Sequence, residues 1–308
     1  MTLHALAGKV ASEPLVAAAV ADRRGGLSAL DLSAPPSLRP FLTSALVGDP
    51  ADNHSVLVVT ATQREAEDLT EALGGLVGAE RVAYYPAWET LPHERLSPRS
   101  DTVGLRLAVL RRIVHPGEPG SADGPVSVVV APVRSVLQPQ VKGLADLEPV
   151  VLHPGEETDL DDLVRRLAAA AYTRVDLVER RGEFAVRGGI VDVFPPTEEH
   201  PLRIEFWGDE VEEIRHFAVA DQRSLEQVDV VWAPPCRELL LTDVVRARAR
   251  ELAGRHPELA ELFEKLSEGH AVEGMESLAP VLVDEMEMLV DLMPADTHVL
   301  VLDPERAR

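Results

Sequence analysis

Short apolar runs alternate with helical patterns along the first 134 residues. Val56–Thr60 and Val126–Ala131 are short runs of apolar, mostly β-branched residues, which are typical of strands buried on both faces. Arg64–Leu73 repeats its apolar side chains at helical spacing, and Arg81–Tyr85 reads as a further short strand. Strands that alternate with helices predict a largely parallel sheet.

More helices are predicted around these strands. Residues 3–21 and Leu38–Leu46 have helical patterns, and Ser100-Asp101 is the predicted cap of a helix over Thr102–Val114. Glycine and proline are frequent in residues 115–125, which predicts a loop.

After Gln138 the pattern changes to short strands with tight turns between them. One helix is predicted, from Asp159 to Ala171, with Thr158 as its cap. The strands that follow are separated by Gly188-Gly189 and by Gly208-Asp209, which predicts an antiparallel sheet. The predicted strands are Val175–Glu179, Glu183–Arg187, Ile190–Phe194, Leu202–Trp207 and Val211–Val219.

Strands and helices mix again from Val228 to the last residue. The expected elements are a strand at Val228–Trp232, helices at Thr242–Arg255, Pro257–Leu266 and Val281–Leu292, and a strand at Val299–Leu302. Because nothing follows that last strand, we expect the fold to continue beyond this stretch of sequence. The predicted class is α/β, with a parallel-sheet domain in two segments, residues 1–134 and 219–308. A small α+β domain with an antiparallel sheet is inserted between them at residues 135–218.

Composition narrows the class of protein. The 308 residues are 45% hydrophobic, which is ample for two or three packed cores. The 52 acidic residues against 30 basic ones give a net charge of −22, and such a field repels a phosphate backbone, which argues against an autonomous DNA-binding unit. One cysteine, Cys236, excludes an internal disulfide framework, and no apolar stretch reaches the length of a membrane span, so a cytoplasmic location is expected.

The stretch from Tyr172 to Arg187 departs from this acidic background. It holds four arginines against three carboxylates. Strand alternation places Phe184 and Val186 on one face, with Glu183, Ala185 and Arg187 on the other. Arg187 is therefore expected at the surface, beside a glycine pair.

Signatures of catalysis are weak in this sequence. Gly8-Lys9 lacks the following Ser or Thr and the preceding strand of a phosphate-binding P-loop, and a surface lysine is the simpler interpretation. Asp284-Glu285 imitates an acidic Mg²⁺-positioning pair, but without a partner P-loop a solvated helix turn is the simpler interpretation. The ten histidines show no spacing typical of metal ligands, and Cys236 falls in a predicted loop.

Three segments together carry a resemblance to a known family. They are YYPAWETLPHERLSP at residues 84–98, DTVGLRL at residues 101–107, and RGEFAVRG with DVFP between residues 181 and 195. In these segments the chain resembles the amino-terminal region of the bacterial transcription-repair coupling factors (Mfd), and the resemblance spans nearly all of its length.

That resemblance implies a fold and a partner. The region is similar to domains 1A, 2 and 1B of the excision-repair helicase subunit UvrB, which implies a degenerate helicase-like, P-loop-type domain with domain 2 inserted. Domain 2 of the family binds the damage-recognition ATPase UvrA. RNA polymerase and double-stranded DNA bind through later modules, which also hold ATP and Mg²⁺. No cofactor is implied for the present region.

Two departures from the UvrB pattern argue against catalysis. Where UvrB carries its P-loop, residues 31–39 read DLSAPPSLR, with no lysine and with prolines in place of glycines. UvrB also has a DNA-clamping aromatic hairpin between the positions of Pro98 and Thr102, and this chain passes directly into a helix.

The resemblance also implies site residues. Arg174 and Arg187 match arginines that contact UvrA in the UvrB pattern, while Ala185 stands where that pattern often has a third arginine. Charge-assisted hydrogen bonds to partner carboxylates and an apolar anchor would form such a site. The candidate UvrA-binding residues are Arg174, Arg181, Phe184, Arg187, Asp192 and Phe194.

Each candidate also has a structural explanation that the sequence leaves open. Arg181 flanks a turn and could be plainly solvated, and both phenylalanines could belong to the core. Asp192 could hold Arg187 or Arg174 in an intrachain pair.

Three interpretations follow from these observations. The first is a non-catalytic scaffold that recruits UvrA to a stalled polymerase. The alternative is a UvrB-like ATP-dependent helicase with a cryptic nucleotide site. A third is self-association of the chain through the same arginine surface.

Overall fold

The computed structural model describes residues 3–24, 29–47, 55–117 and 125–307. Eleven α-helices are present in these ranges: α1 Leu3–Ala11, α2 Pro14–Arg24, α3 Arg39–Val47, α4 Gln63–Val77, α5 Ser100–Val114, α6 Val133–Val136, α7 Leu160–Ala169, α8 Asp243–Arg255, α9 Ala260–Ser267, α10 Ala279–Leu282 and α11 Leu289–Leu292.

Fourteen strands lie in the same ranges. They are β1 Val56–Thr60, β2 Val82–Tyr84, β3 Val128–Pro132, β4 Gln140–Val141, β5 Val150–Leu152, β6 Thr173–Arg174, β7 Glu183–Arg187, β8 Ile190–Val193, β9 Leu202–Trp207, β10 Glu210–Phe217, β11 Ser224–Gln227, β12 Val231–Ala233, β13 Met286–Glu287 and β14 His298–Val301.

The first sheet is parallel, as the alternation of strands and helices predicted. Its order is β14-β1-β3-β2, with Val58 opposite both Val130 and Leu300. Every residue of β1 and β3 is buried, because helices cover both faces. Leu73 of α4 packs on one face, and Leu107 of α5 packs on the other.

The second sheet has six strands in the order β11-β10-β9-β8-β7-β6. All its pairs are antiparallel except β6–β7 at the edge, which is parallel. Its inner face packs on α7 through Leu163 and Leu167, and on the β5–β12 pair. This core includes Val231 and Cys236, so it extends past residue 218, where the sequence placed the end of the inserted domain.

Residues 243–293 pack mainly as helices. Val245, Ala249 and Phe263 hold α8 against α9 in a separate core. Thr242 caps α8 by accepting a hydrogen bond from the backbone N–H of Val245 at 3.3 Å, one position before the helix begins.

Several predicted helix boundaries need correction. Residues 3–21 form two helices, because Pro14 starts a new helix after Ser12 and Glu13. The cap of α7 is Asp159, which accepts from the N–H of Asp162 at 2.7 Å, and Thr158 lies outside the helix. At α5 the cap is Arg99, without a side-chain hydrogen bond, so the predicted cap Ser100-Asp101 already belongs to the helix.

The predicted helix Val281–Leu292 was wrong. Val283 is extended, and β13 pairs its backbone with β4, so the chain is a helical turn, a strand and another helical turn. Pairing with another strand overrides helical spacing in so short a segment.

The predicted strand Val175–Glu179 was also wrong. Only Thr173 and Arg174 pair with β7, and the chain then forms a loop. The loop closes because the carboxylate of Glu183 accepts the N–H groups of Glu179 at 2.9 Å and of Arg180 at 2.8 Å.

One strand was not predicted, and one predicted loop falls mostly outside the described residues. Strand β11 was not expected, and residues 118–124 of the predicted loop 115–125 lie outside the described residues. No helix in the described part of the chain combines the length and the apolar character needed to cross a membrane.

Candidate functional site

The β7–β8 hairpin turns at Gly188-Gly189. Gly188 has a φ of 63°, a conformation that glycine adopts without strain. The hairpin pairs Arg187 with Ile190 and Ala185 with Asp192. Arg187 and Asp192 therefore come to the same face of the sheet, opposite the main core. We call this the outer face, and it includes Ala185, Arg187, Ile190, Asp192, Phe194, Arg203, Glu205 and Trp207.

Asp192 is the centre of the outer face. Its side chain is 1% exposed, and it accepts hydrogen bonds from Arg203 through Nε at 2.7 Å and Nη2 at 2.9 Å. Arg187 donates to the same carboxylate through Nη2. The hydrogen bond to Asp192 raises the pKa of Arg203, which keeps this guanidinium charged. Two cations thus share one buried anion, and the group carries a net charge of +1.

The two arginines differ in their access to solvent. Arg203 is 15% exposed and lies over the ring of Phe217 at 4.6 Å, so it is part of the packing. Arg187 is 46% exposed. Arg187 can therefore offer further N–H donors to a partner while Asp192 holds its position.

Arg181 and Phe194 form a second contact on this face. The guanidinium of Arg181 lies 5.2 Å from the ring centroid of Phe194, and its Nε donates to the carbonyl of Glu198 at 2.8 Å. Phe194 is 6% exposed, in a small cluster with Val178 and Phe217. Arg181 is thus held in place rather than freely solvated.

The burial of the phenylalanines corrects the expectation of an apolar anchor from Phe184 or Phe194. Phe184 is 1% exposed and points into the main core of the antiparallel sheet with Leu163 and Val191. Neither ring reaches the surface as a partner's pocket would require.

Arg174 lies apart from the other candidates. It is exposed on the edge strand β6, and its register partner is Phe184. Residues paired across a sheet point to the same side, so Arg174 shares the side of Phe184 and not that of Arg187. A partner that touches both arginines would have to wrap around the edge of the sheet.

Helix α5 packs against the base of this site. The hydroxyl of Ser100 donates to the carbonyl of Arg181 at 3.1 Å. Gly104 lies so close to Pro196 that a Cβ on it would come within 2.3 Å of the proline Cβ. The absence of a side chain at Gly104 therefore permits the close contact between the parallel-sheet domain and the segment that follows β8.

Sequence reasoning missed the residues that β9 contributes to the outer face, although a signal was present. In β9 the residues Leu202, Ile204 and Phe206 are buried, and the intervening positions face out. Those outward positions include Arg203 and Trp207. An aromatic residue at an outward position of an alternating strand is unusual, and it marks Trp207 for attention.

A second arginine–carboxylate pair is fully enclosed in the protein. Arg106 is 0% and Glu238 is 2% exposed, and the two are hydrogen-bonded. Arg106 also donates to the carbonyl of Pro86 at 2.9 Å, and the indole N–H of Trp88 donates to Glu238 at 3.0 Å. We call this the closed network, and it comprises Tyr85, Trp88, Arg106, Gln140 and Glu238.

The closed network explains part of the segment 84–98 that carried the resemblance. The Arg106 guanidinium lies 4.3 Å from the centroid of the Tyr85 ring. The hydroxyl of Tyr85 donates a hydrogen bond to Gln140. Burial raises the pKa of Tyr85 well above its ordinary value. These residues therefore join the proline-spaced loop to α5 and to the chain after β12.

The other candidates for chemistry have ordinary surroundings. Lys9 is exposed on α1. Asp284 pairs with Arg248 at 2.5 Å, and Glu285 pairs with Lys142, in a segment that is not helical. Cys236 is buried, which raises its pKa. Within the described ranges, no three His, Cys, Asp or Glu side chains are grouped so that they could hold a metal ion.

The segment at the position of the UvrB P-loop has an irregular backbone. Residues 29–35 are neither helix nor strand, and a 3₁₀ turn at Pro36–Leu38 leads directly into α3. Prolines at positions 35 and 36 lack the backbone N–H groups that cradle phosphate in a P-loop. Arg39 at the start of α3 pairs with Asp303 at 2.6 Å.

Comparison with known families matches the antiparallel-sheet region. A family model described as the UvrB interaction domain matches residues 150–239. These residues include the outer face. They end at Leu239, directly after Glu238, which contacts Arg106 in the closed network.

Comparison with individual proteins extends over most of the chain. A transcription-repair-coupling factor of Mycobacterium tuberculosis is 52% identical over 290 residues, which are 91% of this chain and 23% of that protein. The Bacillus subtilis protein of the same name is 30% identical over 87% of this chain and 23% of its own length. The Escherichia coli one is 28% identical over 82% and 22%. The chain thus spans about a quarter of the length of these relatives.

Proposed function

Because this chain belongs to the transcription-repair-coupling factor family, we propose that it is a binding region that recruits UvrA through its outer face. It spans about a quarter of the length of the relatives that it matches. In this proposal the arginine surface of the antiparallel sheet docks onto UvrA and so directs excision repair to a stalled RNA polymerase. The parallel-sheet domain supports the docking domain, which was expected at residues 135–218 and whose core extends to Cys236.

One observation carries the proposal. The region matched by the UvrB interaction domain presents an arginine that is half exposed and yet fixed, because Arg187 is anchored on the buried Asp192. A guanidinium that is already oriented loses little rotational freedom when it binds a carboxylate. Arg187 is thereby suited to form charge-assisted hydrogen bonds to acidic groups on UvrA.

Catalysis is not part of the proposed role. The pair of prolines at positions 35 and 36, together with the Arg39–Asp303 ion pair, supports a degenerate nucleotide site of a helicase-like fold. The intact protein would be an ATP-dependent DNA translocase that displaces stalled polymerase. ATP, Mg²⁺, double-stranded DNA and RNA polymerase would then bind to modules outside these 308 residues.

Calorimetric titration of the chain with purified UvrA tests the proposal. We expect Arg187→Ala to weaken binding about 30-fold or more, since truncation of one member of a desolvated charged contact costs roughly 2–5 kcal/mol. Wild-type binding should also weaken at high salt, because partly exposed charges contribute to it.

Arg64→Ala is the matched control. Arg64 is 90% exposed on α4, in the other domain, and its loss should leave the affinity for UvrA unchanged. If the wild-type chain fails to bind UvrA, the proposed function is wrong. If Arg187→Ala binds as tightly as wild type, the function stands but the outer face is not its site.

A further inference from the structure

Trp207 is an exposed aromatic residue on the outer face. Its side chain is 79% exposed, and it is the sole aromatic among the large hydrophobic side chains that lie exposed in the described residues. The chain's other tryptophans are at least partly covered, Trp88 being 9% exposed. An indole at the surface leaves an extensive apolar area in water, and it is a residue type enriched at the centres of protein interfaces.

The sheet register places Trp207 close to Arg187. Arg187 pairs with Ile190, Ile190 pairs with Glu205, and Trp207 follows two positions later on the same face. The N–H of Phe206 donates to the carbonyl of Gly189 at 2.8 Å, which brings the end of β9 to the turn between β7 and β8. Arg187 and Trp207 are separated by two inter-strand spacings, from β7 to β9, and by a step of two residues along β9. Their Cα atoms therefore lie roughly 12 Å apart.

The glycine turn beside these two residues carries no side chains, while Ile190 and Glu205 lie between them on the outer face. Gly188 and Gly189 are exposed, and a Cβ at Gly188 would meet nothing within 4 Å. At Gly189 a Cβ would come within 3.1 Å of the carbonyl oxygen of Phe206, so this position is held close to β9. A partner can therefore approach the glycine turn and contact Arg187 on one side and Trp207 on the other.

Charge is distributed unevenly along this line. The Arg187 end carries the net positive group around Asp192, with Glu205 beside it, whereas the Trp207 end carries Asp209 and Glu210 in the adjoining turn and strand. Opposite charges at the two ends of a contact set the orientation in which a partner can dock. A matching surface has carboxylates facing Arg187 and basic groups facing the β9–β10 turn.

We infer that Trp207 is the apolar anchor of the docking face, and that UvrA receives it in an apolar pocket. The pocket would be bordered by acidic groups on the Arg187 side and by basic groups on the side of Asp209 and Glu210. The inference rests on the proposed function and names the residue that supplies the anchor, a role that the buried Phe184 and Phe194 cannot fill. A buried indole covers roughly 150–250 Å², and such anchors dominate the affinity of an interface.

Affinity measurements with variants of the full 308-residue chain test the inference. Trp207→Ala should weaken binding to purified UvrA by about 30-fold, the effect of a hot-spot residue, and Trp207→Phe should retain part of the affinity. Leu225→Ala is the matched control, since Leu225 is 47% exposed on the far edge strand β11 of the same sheet. Its affinity should equal that of wild type, and circular dichroism should show all three variants folded.

A fluorescence measurement adds a readout that does not depend on affinity. The chain is labelled with 5-hydroxytryptophan, which can be excited apart from the tryptophans of unlabelled UvrA, and acrylamide quenching is measured with and without UvrA. The emission of position 207 is the part that is present in the wild type and absent in Trp207→Phe. In the free chain, acrylamide should quench this part strongly. In the complex the quencher should no longer reach that position.

The outcomes separate the inference from the function on which it rests. If wild-type chain fails to bind UvrA, both are wrong. If Arg187→Ala loses binding while Trp207→Ala binds like wild type, or if position 207 stays quenchable in the complex, the docking function stands and the anchor role of Trp207 is overturned.

Discussion

Glu238 and Asp192 are buried carboxylates that each hold an arginine, and the two arginines have different surroundings. Glu238 holds Arg106, which is 0% exposed, whereas Asp192 holds Arg187, which is 46% exposed. In the closed network Arg106 directs all three nitrogens at protein acceptors. On the outer face Arg187 uses only Nη2 for a contact within the described residues.

The comparison contrasts two ion pairs of the same type, one that is enclosed in the architecture and one that we propose for recognition. A charge that is fully enclosed must be satisfied inside the protein, because an unpaired buried charge is costly. A charge that is fixed by one buried partner but open on the other side keeps donors for a second molecule. We therefore expect the closed network to affect stability and the outer face to affect binding.

Glu238→Ala should have the largest effect on stability. It would leave Arg106 buried without its counter-charge and the indole N–H of Trp88 without an acceptor. Removing one partner of a buried pair costs about 3–5 kcal/mol in the free energy of unfolding, measurable by urea denaturation. Glu251→Ala is the control, because Glu251 is 61% exposed in a surface pair, and it should cost less than about 0.5 kcal/mol. A loss below about 1 kcal/mol for Glu238→Ala would contradict the closed network as a structural element.

Asp192→Ala should have an intermediate effect and should change both properties. The hydrogen bonds to Arg203 and Arg187 are lost, but both arginines retain some access to water. We expect a loss of about 1.5–3 kcal/mol in the free energy of unfolding, less than for Glu238→Ala. Binding to UvrA should weaken as well, because Arg187 is no longer held. The comparison breaks down if Asp192→Ala destabilises the chain more than Glu238→Ala does.

Gly104→Ala tests whether the two regions are joined through α5, which also carries Arg106. The added Cβ would meet Pro196 at 2.3 Å, so the helix or the segment after β8 must move. Overpacking of this kind costs about 1–3 kcal/mol, measured by urea denaturation. Gly254→Ala in α8 adds a Cβ in open space and should instead stabilise the chain by about 0.4–1 kcal/mol. Equal effects of the two substitutions would show that the Gly104 contact is unimportant.

The titration of Tyr85 at alkaline pH should produce the smallest effect, and it should act on the closed network. Burial raises the pKa of Tyr85, so above about pH 10 the unfolded chain loses this proton before the folded chain does. The associated stability is complete below that pH and is lost as the pH rises towards the folded-state pKa.

Urea denaturation at pH 9 and pH 10.5 measures this effect. Tyr85 should account for a loss of about 0.8 kcal/mol at pH 10.5, and Tyr85→Phe should make the decline with pH shallower by that amount. An identical decline in wild type and Tyr85→Phe would show that the hydroxyl titrates normally in the folded chain.

The sequence was most informative where one face or both faces of a strand are buried. Val56–Thr60 is apolar throughout, and it is a buried central strand of the parallel sheet. The alternation in Glu183–Arg187 placed Phe184 inward and Arg187 outward, as the structure has them. The burial of a strand sets the spacing of apolar residues along the sequence, which is why these elements could be predicted.

Long-range pairing could not be predicted from local pattern. The helix expected at Val281–Leu292 is broken because β13 pairs with β4, nearly 150 residues earlier. The pair of Arg106 and Glu238 is likewise made by residues 132 positions apart. Nothing in the neighbourhood of either residue indicates its partner.

The candidate site was partly predictable for the same reason. Alternation within one hairpin brings Arg187 and Asp192 together, and this pairing was one of the interpretations that the sequence allowed. The contribution of Arg203 depends on the register between β8 and β9, which the sequence does not specify. Arg174 was grouped with Arg187 although the parallel pairing of β6 places it on the other side.

Hydrogen–deuterium exchange of the 308-residue chain, with and without UvrA, tests whether the outer face binds UvrA while the closed network does not, because it reports on both regions at once. We expect UvrA to slow exchange in peptides that cover residues 183–192 and 202–210. Peptides that cover residues 85–88 and 236–239, in the closed network, should exchange as in the free chain. Slowed exchange confined to the closed network, with the outer face unchanged in the bound chain, would contradict the account.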